Sequence, residues 1–151
     1  MAITPKEKEV SAVGISVAAG CMPCTNYHVK AAREAGASNE EMRQAVAYAV
    51  LLQKSSLRIM EEYAMARLGQ RKHEGELDHP DVTGRLKELV MVGVAFAANS
   101  LPNLKKHLAA AESVGISQQE IAEILKLAKF IKEKGASHVE RLGGLLHQEA
   151  A

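Results

Sequence analysis

Apolar residues recur along this chain at helical spacing. Val10, Val13 and Val17 share one face of a first helix running from about Lys6 to Ala18, which Gly20 interrupts. A second helix starts at about Met22 or Pro23. Proline suits a first turn, where its missing N–H would have had no helical partner. Gly36 fits a left-handed C-terminal cap. Ser38-Asn39-Glu40-Glu41 has the form of a capping box with Ser38 as N-cap. It opens a long apolar series through Met42, Ala45, Val46, Ala49, Leu52, Leu57, Met60 and Ala64, ending near Gly69. Lys54-Ser55-Ser56 is a place where this helix would bend or break. Further helices are predicted over Thr83 to Ala98 and Pro102 to Val114, and from a Ser117 cap towards Lys134. A last one covers about Ser137 to Gln148, weakened by Gly143-Gly144. No alternating apolar pattern of strand length occurs. The expected fold class is all-α.

The pattern is written twice, without gaps, at an offset of 79 residues. Glu9 falls on Glu88, Val13-Gly14 on Val92-Gly93, Ala18-Ala19 on Ala97-Ala98, and Pro23 on Pro102. His28 falls on His107, Gly36 on Gly115, Ser38 on Ser117 and Glu41 on Glu120. Repetition of Glu, Gly, Pro and His at one spacing argues for a duplicated helical unit rather than two alanine-rich helices alike by chance. Residues 1–69 form the first unit, the polar stretch 70–81 reads as a linker, and 82–151 form the second. At 151 residues the whole is expected to be one domain.

Composition removes several classes of function. The 19 basic residues nearly balance 18 acidic ones, so the chain lacks the electrostatic footprint of a nucleic-acid binder. Aromatics are 3% and there is no Trp, which argues against base-stacking platforms. The N-terminal sequence has no apolar run before a cleavage site. The richest apolar stretch, Leu89 to Ala98, is too short to span a membrane. A cytoplasmic location is expected. Two cysteines there would usually be reduced, so a disulfide between them would be transient and chemical.

Those cysteines carry the chemistry. Cys21 and Cys24 are three apart, and His28 follows Cys24 by four. With the second helix starting near Met22, Cys21 takes the N-cap and Cys24 the first turn. Unpaired N–H groups and the helix dipole there favour thiolate over thiol. Spacing of four puts the His28 imidazole on the face of the Cys24 sulfur, where it can accept the thiol proton. A thiolate that attacks a peroxide becomes a sulfenic acid, and a neighbouring thiol condenses with it to a disulfide. Glu9, on the preceding helix, would reach His28 if the two helices pack antiparallel. By itself it reads equally well as a solvated charge in Lys6-Glu7-Lys8-Glu9. Two other readings stand beside the redox one. The cysteines would serve as small buried apolar residues, or Cys21, Cys24 and His28 would supply three zinc ligands, with no fourth partner evident.

The spacing of Glu9, Cys21, Cys24 and His28 resembles the signature of the AhpD-like alkylhydroperoxidases of the carboxymuconolactone decarboxylase superfamily. The text from Gly20 to Ala32, followed by Gly36 and Glu40-Glu41, is similar to that family as well. The resemblance implies an all-helical AhpD-like fold and peroxidase or disulfide-reductase activity of an antioxidant, peroxiredoxin-like kind. It assigns Cys24 as the peroxide-attacking sulfur, Cys21 as the resolving one, and His28 with Glu9 as a proton relay. Some members carry a histidine just before the second cysteine, where this chain has Pro23. Members with one unit per chain form hexamers, so two units per chain imply a homotrimer, with a hexamer as the alternative.

Ser100 and Asn103 replace the cysteines in the second unit, while Glu88 and His107 remain. That unit reads as a structural copy whose Glu88 and His107 form a buried polar pair, or else line a second pocket. Tyr27 is assigned to packing. Met42, Met60 and Met65 are assigned to the core or to subunit contact. His73, His79, His138 and His147 fit no functional pattern. The expected function is a thiol-dependent peroxidase or disulfide reductase acting on hydrogen peroxide or organic hydroperoxides. No bound cofactor or metal is expected, only an external dithiol or protein reductant. The alternatives are a lactone decarboxylase, whose relatives lack the cysteine pair, and a zinc-binding or structural oligomer.

Overall fold

Thr4, Ser38 and Ser117 each start a helix in the same way. The side-chain oxygen accepts the N–H of a glutamate three residues on, and that glutamate's carboxylate accepts the N–H of the cap. The distances lie between 2.8 and 3.2 Å, and two orphan donors are satisfied at each start. The Thr4–Glu7 box escapes the sequence reading, which places the capping signals only at the two later helices.

The computed structural model describes residues 2–69 and 84–150, with side chains through residue 144. The fold is all-α: α1 (Pro5–Ala18), α2 (Met22–Glu34), α3 (Asn39–Arg67), α4 (Arg85–Ala97), α5 (Leu101–Ser113) and α6 (Gln118–Ala150). The order of helices in α1–α3 recurs in α4–α6, as the duplication requires. The expected linker 70–81, with His73 and His79, lies outside the described residues, as do Thr83 and the side chain of His147. No helix among the described residues is long and apolar enough to cross a membrane.

Two expectations about helix ends are corrected. α3 runs unbroken through Lys54-Ser55-Ser56. Ser55 is buried there, and its hydroxyl accepts a hydrogen bond from Asn103 of α5. The helices expected up to Lys134 and from Ser137 are one helix, α6. Gly135 does not end it. A Cβ at Gly135 would lie 2.8 Å from the carbonyl oxygen of Ala19 and 3.4 Å from Cys21 Cβ. The glycine is there because α6 passes very close to the turn before α2.

α1 and α4 form the centre. Val10, Val13 and Ile15 of one and Val90, Met91 and Val94 of the other are almost wholly buried, together with Leu52 of α3 and Ile131 of α6. Each such side chain contributes roughly 1.5–3 kcal/mol by leaving water. The repeated glycines lie where these helices meet. A Cβ at Gly14 would come within 3.0 Å of Val90 Cγ1 and of the Ala45 carbonyl oxygen, and one at Gly93 would overlap Ile15. The long third helix of each unit also reaches the other unit: α6 lies on α1 and α2, and α3 on α4. Met42 is in this core, but Met60 is 58% exposed and so is not a core residue.

Candidate active site

α1 ends in a turn that sets the first cysteine. Gly20 adopts φ +65°, the left-handed region where a Cβ is strained. The N–H of Gly20 donates to Val17 O and that of Cys21 to Ser16 O, each at 3.1 Å, closing a Schellman-type end. The chain re-enters helix at once, with Cys21 as the N-cap of α2. The Cys21 sulfur accepts the N–H of Cys24 at 3.3 Å, and Thr25 Oγ1 donates to the Cys21 carbonyl at 2.9 Å. Both sulfurs therefore sit among the first N–H groups of a helix, where negative charge is favoured.

Cys21 and Cys24 are joined by a disulfide, with their Cα atoms 5.2 Å apart. The two are not equally placed. Cys21 is 3% exposed, under the Gly135 segment of α6, whereas Cys24 is half-buried and opens on a cleft. An attack on a partner's disulfide led by Cys21 would need that sulfur exposed; the fold buries it and presents Cys24 instead.

His28 follows one turn later and is buried. Its Nδ1 lies 2.7 Å from Glu9 Oε2 of α1. Glu9 is thus a partner of His28 rather than a solvated member of its charge run. With Nδ1 engaged, Nε2 is the ring nitrogen left for proton exchange. Tyr27 stands edge-on to the His28 ring, centroids 5.0 Å apart, and is 67% exposed. It is a wall of the site rather than a core residue.

The cleft measures about 390 Å³. α2 contributes Pro23, Cys24, Tyr27 and His28. The opposite wall is α6, from the second unit: Phe130, Ile131, Lys134 and His138. A neighbouring hollow of about 450 Å³ shares Tyr27, His28 and Phe130 and extends past Glu9 to Lys8 and Leu127. The second unit is therefore more than a scaffold, since it walls the site of the first. His138, which fits no pattern in the sequence, lines this cleft, and Lys134 and Phe130 carry no motif of their own. The signal available for them is the internal repeat, read for differences instead of matches.

In the second unit Asn99 takes the place of Gly20, with φ 56° and the same turn bonds. Ser100 occupies the cap, and Asn103 Nδ2 donates to Ser100 Oγ at 2.9 Å and to Ser55 Oγ at 3.4 Å. Glu88 Oε2 and His107 Nδ1 lie 2.8 Å apart, both buried. They form the polar pair expected from the sequence, while His107 Nε2 has no hydrogen-bond partner among the described residues. Also among the described residues, no group of three or more His, Cys, Asp or Glu side chains is arranged to hold a metal ion.

The sequence profile of the carboxymuconolactone decarboxylase family matches the chain twice, over residues 2–62 and 57–136. No curated protein and no solved structure matches it. The two profile matches fall on the two halves of the repeat and together cover most of the chain, so the protein belongs to the carboxymuconolactone decarboxylase family, as a tandem pair of its units.

Proposed function

We propose that the protein is a thiol-dependent peroxidase that reduces hydrogen peroxide or organic hydroperoxides and is recycled by an external dithiol or protein reductant in the cytoplasm. The observation that carries this is the Cys21–Cys24 disulfide at the start of α2, with its Cys24 side on a cleft lined by His28. In the reduced protein, Cys24 loses its proton to His28, which Glu9 orients through Nδ1. The Cys24 thiolate attacks the nearer peroxide oxygen. The S–O bond forms as the O–O bond breaks, and the leaving alkoxide takes a proton from His28. Cys21 sulfur then attacks the Cys24 sulfenic acid, giving the disulfide and water. Two electrons and two protons from the external dithiol restore both thiols.

Burial of Cys21 supports its role as the resolving sulfur, because a sulfur under α6 is shielded from peroxide but lies beside Cys24. A homotrimer is part of the proposal. It is supported by the exposed apolar side chains of Leu57, Met60, Tyr63 and Leu68 along α3 and its end, which a subunit contact would cover. Sedimentation of the purified protein tests that state.

The test of the activity is peroxide turnover with a dithiol donor by Cys24→Ser. Loss of turnover is expected, and full turnover would sink the proposal. The family also includes decarboxylases, and a lactone decarboxylase reading is separated by alkylating both thiols. Lactone turnover that survives alkylation would favour that reading.

A further inference from the structure

We propose that Lys134, reaching in from the second unit, is the cationic partner of the Cys24 thiolate and so a positioning residue for the thiol chemistry. The inference rests on the reading of Cys24 as the reactive sulfur.

Lys134 lines the same cleft as Cys24 and His28. Among the described residues its ammonium has no carboxylate partner; Nζ stands 5.8 Å from the centre of the Phe130 ring. In this oxidised form the Cys24 sulfur is in a disulfide and carries no charge, so nothing anionic is there for Lys134 to meet. Reduction and deprotonation create that anion. The other titratable groups facing it are His28, held by Glu9, and Tyr27 on the α1–α2 side, and His138 one turn further along α6.

The internal duplication supplies a control. At the offset of 79 residues, Cys24 corresponds to Asn103, Lys134 to Ser55 and His138 to Ile59. In the second unit, the Ser55 side chain is hydrogen-bonded to Asn103 across the helix pair. This helical register therefore addresses the first-turn residue of the site helix. Where that residue is a neutral amide, the register carries a hydroxyl. Where it is a cysteine, the register carries an ammonium, with His138 in place of isoleucine. Opposite charge nearby favours the ionised form of a thiol, and this register carries an ammonium only where it faces the thiols.

The experiment uses the full-length protein with Cys21→Ser, reduced, so that Cys24 is the one thiol. Its pKa is read from the pH dependence of iodoacetamide alkylation. Lys134→Gln is expected to raise that pKa and slow alkylation at neutral pH by roughly two- to five-fold. Lys134→Arg is expected to restore it, and high salt to shrink the difference. Lys129→Gln, five residues earlier on α6 and paired with Glu133, is expected to change nothing. An unchanged Cys24 pKa in Lys134→Gln overturns the inference, as does an equal rise in Lys129→Gln. The readout does not require peroxide turnover. A shifted pKa in a protein without peroxidase activity would defeat the proposed function and leave the role of Lys134 standing.

Discussion

His28 Nδ1 and Glu9 Oε2 meet at 2.7 Å across the packing of α2 on α1. This contact fixes which imidazole nitrogen is engaged, and it does so from another helix. Replacing His28 by Ala is expected to slow Cys24 oxidation by peroxide ~100-fold or more, the usual worth of a positioned proton acceptor. Glu9→Gln keeps a hydrogen-bonding group but not the carboxylate, so its loss is expected to be smaller. Stopped-flow oxidation of the reduced protein measures both. Equal losses in the two variants would show that Glu9 acts other than through His28.

Gly135 gives a prediction whose sign is informative. In an ordinary helix interior, Gly→Ala stabilises by up to ~1 kcal/mol. Here the new Cβ would meet the backbone oxygen of Ala19 at 2.8 Å, and backbone has little room to move. Gly135→Ala is expected to destabilise by about 1–3 kcal/mol, as overpacking does. It is also expected to disturb the turn that positions Cys21. Urea unfolding monitored by circular dichroism decides it.

Arg85 ties α1 to α6. Its guanidinium donates to Glu7 at 2.8 Å and to both carboxylate oxygens of Glu120, which also caps its own helix through Ser117. The Arg85 hydrogen bonds, followed by the Ser117 N–H, hold the Glu120 carboxyl down to about 2. Burial pushes Glu7 up, but its bonds to Arg85 and Thr4 outweigh this and leave it below the ordinary value. A carboxylate with a depressed pKa binds fewer protons folded than unfolded. Its contribution is therefore complete above the unfolded value of ~4.3 and is lost as pH falls towards 2. The thermal midpoint is expected to fall across that window, and Arg85→Gln to flatten the fall. Thermal scans at pH 2 to 7 on both proteins test this.

The buried pair in the second unit separates structure from chemistry. Glu88→Ala leaves His107 with both ring nitrogens unpartnered in the core. The cost is expected to be about 1–3 kcal/mol, the penalty for a stranded buried polar group. Peroxide turnover at a temperature where the protein stays folded is expected to remain. Loss of turnover without loss of fold would mean that the second unit holds chemistry of its own.

What was legible in the sequence is what depends on near neighbours. The capping boxes at Ser38 and Ser117 form because the two partners lie three residues apart. Gly36 closes α2, with φ +86°, because the turn there needs a left-handed residue. Cys21, Cys24 and His28 share one end of α2 because helical spacing puts them there. The duplication too is a matter of letters at fixed distance. The helix end expected after Lys134 is absent, because α6 runs on through Gly135. At Gly135 the deciding fact is the absence of a side chain, under a carbonyl more than a hundred positions earlier in the chain.

The sequence by itself determined the fold class, most of the helices, the caps at Ser38 and Ser117, the twofold repetition and the candidate reactive groups, since each follows from residues at short or fixed spacing. Only the tertiary structure decided that Glu9 meets His28, that Cys21 is covered while Cys24 faces the cleft, and that the opposite wall belongs to the second unit. These depend on how α1, α2 and α6 close on one another. That closure is set by apolar burial and by glycine-sized gaps between distant segments, which no local pattern encodes.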